Sequence, residues 1–483
     1  MKKLFALAVS TLLILTGCAT EPEFGEVSSA IKDSQEMQTE ETQSTEPGPV
    51  PNFELSTLRI DSELCKFEDQ SEEFLTRKDR NVPFWHFDYF PNLQEEPTFL
   101  PSLGELEVAL VFVDWQDKKG LESDHSYYMS QAQFMSDWFE VVSQGNLRIN
   151  WRVSQDWSTL SGSWRDYYAN NDGSISDEDR APFEQWFLDE AVKASDESFD
   201  YSDIDYVVFA MPLSGRMGEN NEEFGEVVMN FGTEGMAFDI HPRSLRQTVV
   251  YSKEKSIGNW VISGTAYQDQ RGFTPAWTHW AHELGHMFGN ISHRPIPGTQ
   301  AEESQYFATP MSATSLFAHS WHPVRAVSTW HSWILGWIDD SQVLCVDAND
   351  IENEVFAINN FRLLDGDTKA VIVRTGETTG LVIESREWDP DFDAPSRMAK
   401  NGFYDGVLMY YIDSSRVISD DSLIPLMPHG LGQIWDENLP PWAISSSDFM
   451  FQEGESAQYE DFEIEVLTMQ DGVDYVRISQ IDG

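Results

Sequence analysis

Residues 274–289, TPAWTHWAHELGHMFG, leave little choice but a single helix that carries its own start and stop signals. Thr274 can cap it, Pro275 suits its first turn, and Gly289 can end it in a left-handed conformation. Inside the segment, His282 and His286 stand four residues apart. Such positions share a helix face, so the two imidazoles converge on one point, as two ligands of a tetrahedral zinc ion must. Glu283 adjoins the first histidine, where its carboxylate can hold a zinc-bound water and take its proton. The chain has only 11 histidines. An accidental His-Glu-x-x-His in such a sequence has a probability on the order of a few per cent.

A third ligand requires the chain to turn back after the helix, and Gly289 is the place for that turn. His293 is the candidate, with Glu302 and Glu303 as acidic alternatives. The metzincin spacing would put the ligand at Ser292, so this chain carries one extra residue. His279, one turn earlier on a nearby face, is read as a packing residue or a neighbour of the ligands. His319, His322 and His331 stay outside the expected site.

The surrounding pattern mixes strands with helices. Residues 106–113 (LEVALVFV) form a short apolar, β-branched run suited to a buried strand, and 147–153 alternate like a half-exposed one. Helical spacing of Phe134, Trp138 and Val141 marks a helix over 131–142, and a second is expected over 182–194 before a strand at 206–211. After residue 338 the pattern turns all-β: 370–373, 381–383 and 407–411 read as strands. Residues 462–467 pair with 475–478 through an Asp471-Gly472 turn. The expected fold class is α+β, with a zincin-type catalytic domain (an active-site helix and a mixed sheet) followed by a β-rich region.

Passages across roughly 105–415 resemble the immune inhibitor A family of secreted bacterial zinc metallopeptidases. The sequence 109–117 (ALVFVDWQD) is similar to that family's opening strand, 138–145 (WFEVVSQG) to its next helix and glycine turn, and 199–205 (FDYSDID) to the approach to a strand. Downstream, 309–312 (TPMS) falls where the family has a methionine turn, and 330–338 (WHSWILGWI) resembles a helix ending in Leu-Gly-Trp-Ile. Residues 382–386 (VIESR) and 406–413 (GVLMYYID) resemble two signature strands. The likeness implies a zincin fold, peptide-bond hydrolysis and Met311 as the floor of the metal site. At Ser292-His293 the chain departs from the family, whose members more often have an Asp-containing turn there.

Residues 1–17 read as a leader: Lys2 and Lys3, an apolar run too short to span a bilayer, then Thr16-Gly17-Cys18. The stretch 15–18 resembles a lipobox, which implies acylation of Cys18 and an extracytoplasmic lipoprotein at the outer membrane or cell surface. Residues 18–52 are polar and should form a tether. Residues 53–104 form an N-terminal segment, a candidate inhibitory prosegment; 105–340 form the zinc metallopeptidase domain and 341–483 the β-rich region. Besides Cys18 there are only Cys65 and Cys345. A disulfide between them is the preferred reading, against Cys65 as a thiolate that blocks the zinc.

A formal charge of −51 repels nucleic acid and anionic lipid, leaving protein or peptide substrates as expected partners of a monomer. Residues 170–179 (NNDGSISDED) have the flavour of a calcium loop, but Tyr168 occupies the first ligand position of an EF-hand register. The loop is read as a polar surface turn, and Ca2+ stays an option beside one catalytic Zn2+. The expected function is zinc-dependent endopeptidase activity with Glu283 as catalytic base and His282, His286 and His293 as metal ligands. The alternative is an inactive surface lipoprotein that uses a structural zinc as a binding module.

Overall fold

The continuous apolar run around Val108 becomes a strand that is covered on both faces, and the first half of the fold is built around it. The structure is a computed structural model. It describes residues 52–67, 100–164, 177–214, 232–235, 250–265, 267–269, 272–274, 276–288, 328–360, 368–386, 406–413, 423–425 and 450–481. Residues 53–483 form one compact unit. It is an α+β structure with few helices and many strands in several sheets.

Strands β1 (Gly104–Asp114), β2 (Leu147–Val153), a short β3 (Ser158–Thr159), β4 (Tyr206–Ser214), β5 (Gly232–Gly235) and β8 (Trp260–Thr265) form the first sheet. Its order is β2-β1-β4-β8-β5, with β3 extending β1. All neighbours run parallel except β5, which lies antiparallel on the edge beside β8. Two small hairpins, β6 (Val250–Tyr251) with β7 (Ser256–Ile257) and β9 (Tyr267–Asp269) with β10 (Gly272–Thr274), stand apart.

Alternate residues of β1 and β4 enter two different cores. Leu106, Val108, Leu110, Phe112, Tyr206, Val208 and Ala210 face helices α1 (Glu122–Val142) and α3 (Ala276–Met287). Ala109, Val111, Val113, Val207, Phe209 and Met211 face Phe187, Leu188, Ala191 and Val192 of helix α2 (Asp177–Ser195). Strands buried on both faces lose the polar alternation of a half-exposed sheet, hence LEVALVFV.

Helix α1 is longer than its apolar spacing suggested, and its buried face is a different one. Tyr128, Ala132, Met135, Trp138, Phe139 and Val142 are buried, whereas Phe134 and Val141 are 46% and 38% exposed. Of the expected trio only Trp138 faces the core. The period was right and the phase was not, because Phe134 and Val141 sit on an arc that the adjoining elements do not cover.

Beyond helix α4 (Thr329–Ile334) the chain forms two more sheets. One has the order β11-β13-β14-β15-β16, with β17 also on β15; its strands are β11 (Val343–Asp347), β13 (Ala370–Arg374), β14 (Thr379–Arg386), β15 (Gly406–Asp413), β16 (Leu423–Pro425) and β17 (Met450–Phe451). The other is antiparallel, β12-β20-β19-β18, from β12 (Asn353–Asn359), β18 (Ser456–Tyr459), β19 (Phe462–Gln470) and β20 (Val473–Gln480). The hairpin β19–β20 turns at Asp471 and Gly472, whose φ values of 55° and 76° are the left-handed pair that a two-residue hairpin turn requires.

The two sheets enclose a core of Val371, Val373, Leu381, Ile383, Phe356, Ile358, Ile464, Val466, Val476 and Ile478. The opposite face of the first of them, through Ile372, Val382, Leu408, Tyr410 and Ile412, joins the same core as α1 and α3. One hydrophobic core therefore lies beneath the position near 340 where the catalytic and β-rich parts were divided.

Residues 53–67 are woven into these sheets. Ser56 N–H donates to the Val355 carbonyl and Ile60 N–H to the Cys345 carbonyl, both at 2.8 Å, and the Phe53 ring packs on Tyr475. Cys65 is joined to Cys345 with a Cα–Cα distance of 5.9 Å, so Cys65 has no thiolate to offer a metal. Phe67 then packs over Gly380, where a Cβ would come within 2.2 Å of its ring. Residues 68–99 lie outside the described residues.

Both cysteines are fully buried. In native protein, reductant should therefore leave Cys65 and Cys345 closed to thiol-labelling reagents, and labelling should appear only on unfolding. The Cys65→Ser/Cys345→Ser chain should lose about 2–4 kcal/mol in urea titration. Rapid labelling of native protein after mild reduction would contradict the burial.

Candidate metal centre

Helix α3 carries His282, Glu283 and His286 on its backbone, as the spacing predicts. Its core contacts come from Trp277, Trp280, Ala281, Leu284 and Phe288, all buried. Those positions cluster on one arc at helical spacing, and by the same geometry 282, 283 and 286 fall on the opposite arc of the backbone. His279 falls on that opposite arc too.

The helix begins at Ala276, two residues after Thr274, which closes β10. Pro275 and Gly289 lie outside the described residues. Acceptors for the first amides come from α1: Ala276 N–H donates to the Tyr127 hydroxyl at 3.0 Å and Trp277 N–H to the Gln131 side-chain oxygen at 3.4 Å. These amides belong to the set that no helix can satisfy internally. Burial pushes the Tyr127 phenol well above its usual range, and the hydrogen bond from Ala276 pulls it only slightly back, so it remains a neutral hydroxyl. The sequence offered only a weak signal for this role, a tyrosine and a glutamine at i, i+4 on one face of α1.

Aromatic contacts cover the rest of the helix's buried arc. Trp280 stacks on Tyr128 at 5.9 Å and lies 5.8 Å from Trp151, while Trp277 meets Trp138 at 6.1 Å. At the other end Phe288 sits edge-on to Phe139 at 6.0 Å and to Trp337 at 5.9 Å.

His293, Glu302, Glu303 and Met311 lie outside the described residues, as do Ser292, His319 and His322. Among the described residues flanking this stretch, Phe288, Trp330, Trp333, Leu335 and Trp337 share one core. Among the described residues no group of three or more His, Cys, Asp or Glu is placed to hold a metal ion. Of the calcium-like loop, 170–176 also lie outside, and α2 begins at Asp177.

His331, set aside in the sequence, is buried in α4 with its Nδ1 at 2.6 Å from the Ser328 hydroxyl. It belongs to a polar junction between α4 and the β-rich part. Glu384 accepts from the Thr329 amide at 2.7 Å, the Tyr410 hydroxyl at 2.9 Å and the Arg386 Nε at 2.6 Å, and forms an ion pair with the same guanidinium. Burial first, and then the Glu384 carboxylate, hold the Tyr410 phenol well above its usual range. Both Glu384 oxygens are engaged, so this carboxylate is suited to joining elements and not to moving protons.

Removing one member of a buried ion pair is more damaging than its net contribution suggests, because the other charge stays behind. Glu384→Leu takes away the carboxylate beside Arg386 and should destabilise the chain by roughly 3–5 kcal/mol in urea unfolding; a loss below about 1 kcal/mol, the size of an exposed pair, would show that the junction is not sealed from water. Neither a protein-family model nor a curated protein sequence matches the chain.

Proposed function

We propose that the chain is an extracytoplasmic zinc-dependent endopeptidase with a zincin-type catalytic part, similar to the immune inhibitor A family and anchored as a lipoprotein through Cys18. The observation that carries the reading is the placement of His-Glu-x-x-His on α3, a helix whose other arc is locked into the core. The donor chemistry fits zinc: His282 and His286 would supply imidazole nitrogens from one helix face, and His293 remains the third candidate. When bound, zinc supplies a Lewis acid that acidifies water and polarises a carbonyl.

The chain's own residues do the remaining work. Glu283 is not a ligand; it accepts the proton of the attacking water and returns it to the leaving amide nitrogen. The edge strand β5 pairs with β8 on one side, and among the described residues no strand pairs with its other side. An extended peptide can add there by main-chain hydrogen bonds, which suits an enzyme that accepts unfolded protein segments. The buried Cys65–Cys345 bond suits an oxidising compartment outside the cytoplasm.

The test is metal analysis together with casein cleavage, in parent and Glu283→Ala chains. The parent should hold one zinc per chain and lose cleavage to a chelator. Glu283→Ala should keep its zinc and cleave about 10²- to 10⁴-fold more slowly. Undiminished cleavage by the variant would remove Glu283 as the base.

A further inference from the structure

Tyr127, Tyr128 and Gln131 lie on one stretch of α1 and make contacts in two directions. Toward the sheet, the buried Tyr128 hydroxyl donates to the Met211 carbonyl at 2.8 Å and to the Ser263 carbonyl at 3.1 Å. Met211 belongs to β4 and Ser263 to β8, and Ser263 stands opposite Gly232 of the edge strand β5. Toward α3, Tyr127 and Gln131 accept the amides of Ala276 and Trp277, and the Tyr128 ring stacks on Trp280. A path of hydrogen bonds and ring contact thus runs from β4 and β8, the latter next to the edge strand β5, through α1, to the first turn of the helix that carries His282, Glu283 and His286.

Ring packing alone leaves a helix free to slide along its axis by fractions of an ångström, since aromatic contacts are broad in angle and distance. Directed bonds to its terminal amides restrict that freedom, because they weaken steeply as the angle opens. We propose that Tyr127 and Gln131 are positioning residues that set the axial register of α3 against the sheet, with Tyr128 as their fixed point. The inference rests on the peptidase reading of α3. In that setting the register determines where Glu283 and the two histidines stand relative to a peptide on β5, and a displacement of about 1 Å can cost a hundredfold in rate.

Gln131→Leu removes the acceptor at nearly constant volume, and Gln131→Glu retains one at the positive end of the helix. Tyr127→Phe removes the second acceptor while keeping the ring. Phe134→Ser, on the exposed arc of the same helix, is the control. Zinc content, the visible spectrum of the cobalt-substituted protein, kcat and KM on an unfolded peptide substrate, and the thermal midpoint would be measured for each. We expect Gln131→Leu and Tyr127→Phe to keep one zinc but lower kcat about ten- to a hundredfold with KM within about twofold. Gln131→Glu should recover most of the loss, the cobalt spectrum should change only in the slow variants, and Phe134→Ser should behave as the parent.

Parental kcat in zinc-loaded Gln131→Leu and Tyr127→Phe would overturn the proposal and leave the peptidase reading standing. A rate loss that merely follows lost folded protein, equal in Gln131→Leu and Gln131→Glu, would overturn it as well. A parent chain without zinc and without chelator-sensitive cleavage overturns both readings before any variant is compared.

Discussion

Everything around the candidate centre depends on the burial of one arc of α3 against α1 and the first sheet. Trp277, Trp280, Ala281, Leu284 and Phe288 belong to one core with residues of α1, β1 and β4 and with Ile372, Val382, Leu408 and Tyr410 of the second sheet. Each fully buried large apolar side chain contributes about 1.5–3 kcal/mol, so the helix is held by its apolar arc far more strongly than by its intrinsic propensity. Packing decides which arc faces the core, and 282, 283 and 286 fall on the other arc of the backbone. The second half of the chain is not an appendage, since one face of its sheet belongs to that same core.

Where a signal was local and complete, the sequence was readable. The β1 run needed only its apolar continuity, the β19–β20 hairpin only an Asp-Gly pair able to adopt two positive φ values, and α3 only its spacing. Helix α1 was found but rotated, since Phe134 and Val141 satisfy helical spacing as well as Tyr128, Met135 and Val142 do; the sheet and α3 decide which arc is covered. Thr274 had the right chemistry for a cap, yet the acceptors that the first amides use come from residues almost 150 positions earlier. No local rule reaches that far.

The Glu384 junction shows a related limit. Its segment stood out only as a resemblance, because a glutamate and an arginine at i, i+2 on a strand ordinarily read as solvated charges. Burial turns the same pair into a fastener that binds the start of α4 to β14 and β15. Since α4 follows the stretch that holds His293, Glu302, Glu303 and Met311, the return from that stretch is moored by charge, and its departure, at Phe288, by aromatic contact.

The Cys65–Cys345 bond closes a covalent ring of 280 residues of sequence separation that contains β1, all of α1 to α4 and the His-Glu-x-x-His segment. A molecule threaded in this way keeps its continuity when nicked. One backbone cut anywhere inside the ring yields two polypeptides on a denaturing gel run with reductant but a single molecule without it. The piece that carries the chain's beginning stays fastened to the piece that carries its last sheets.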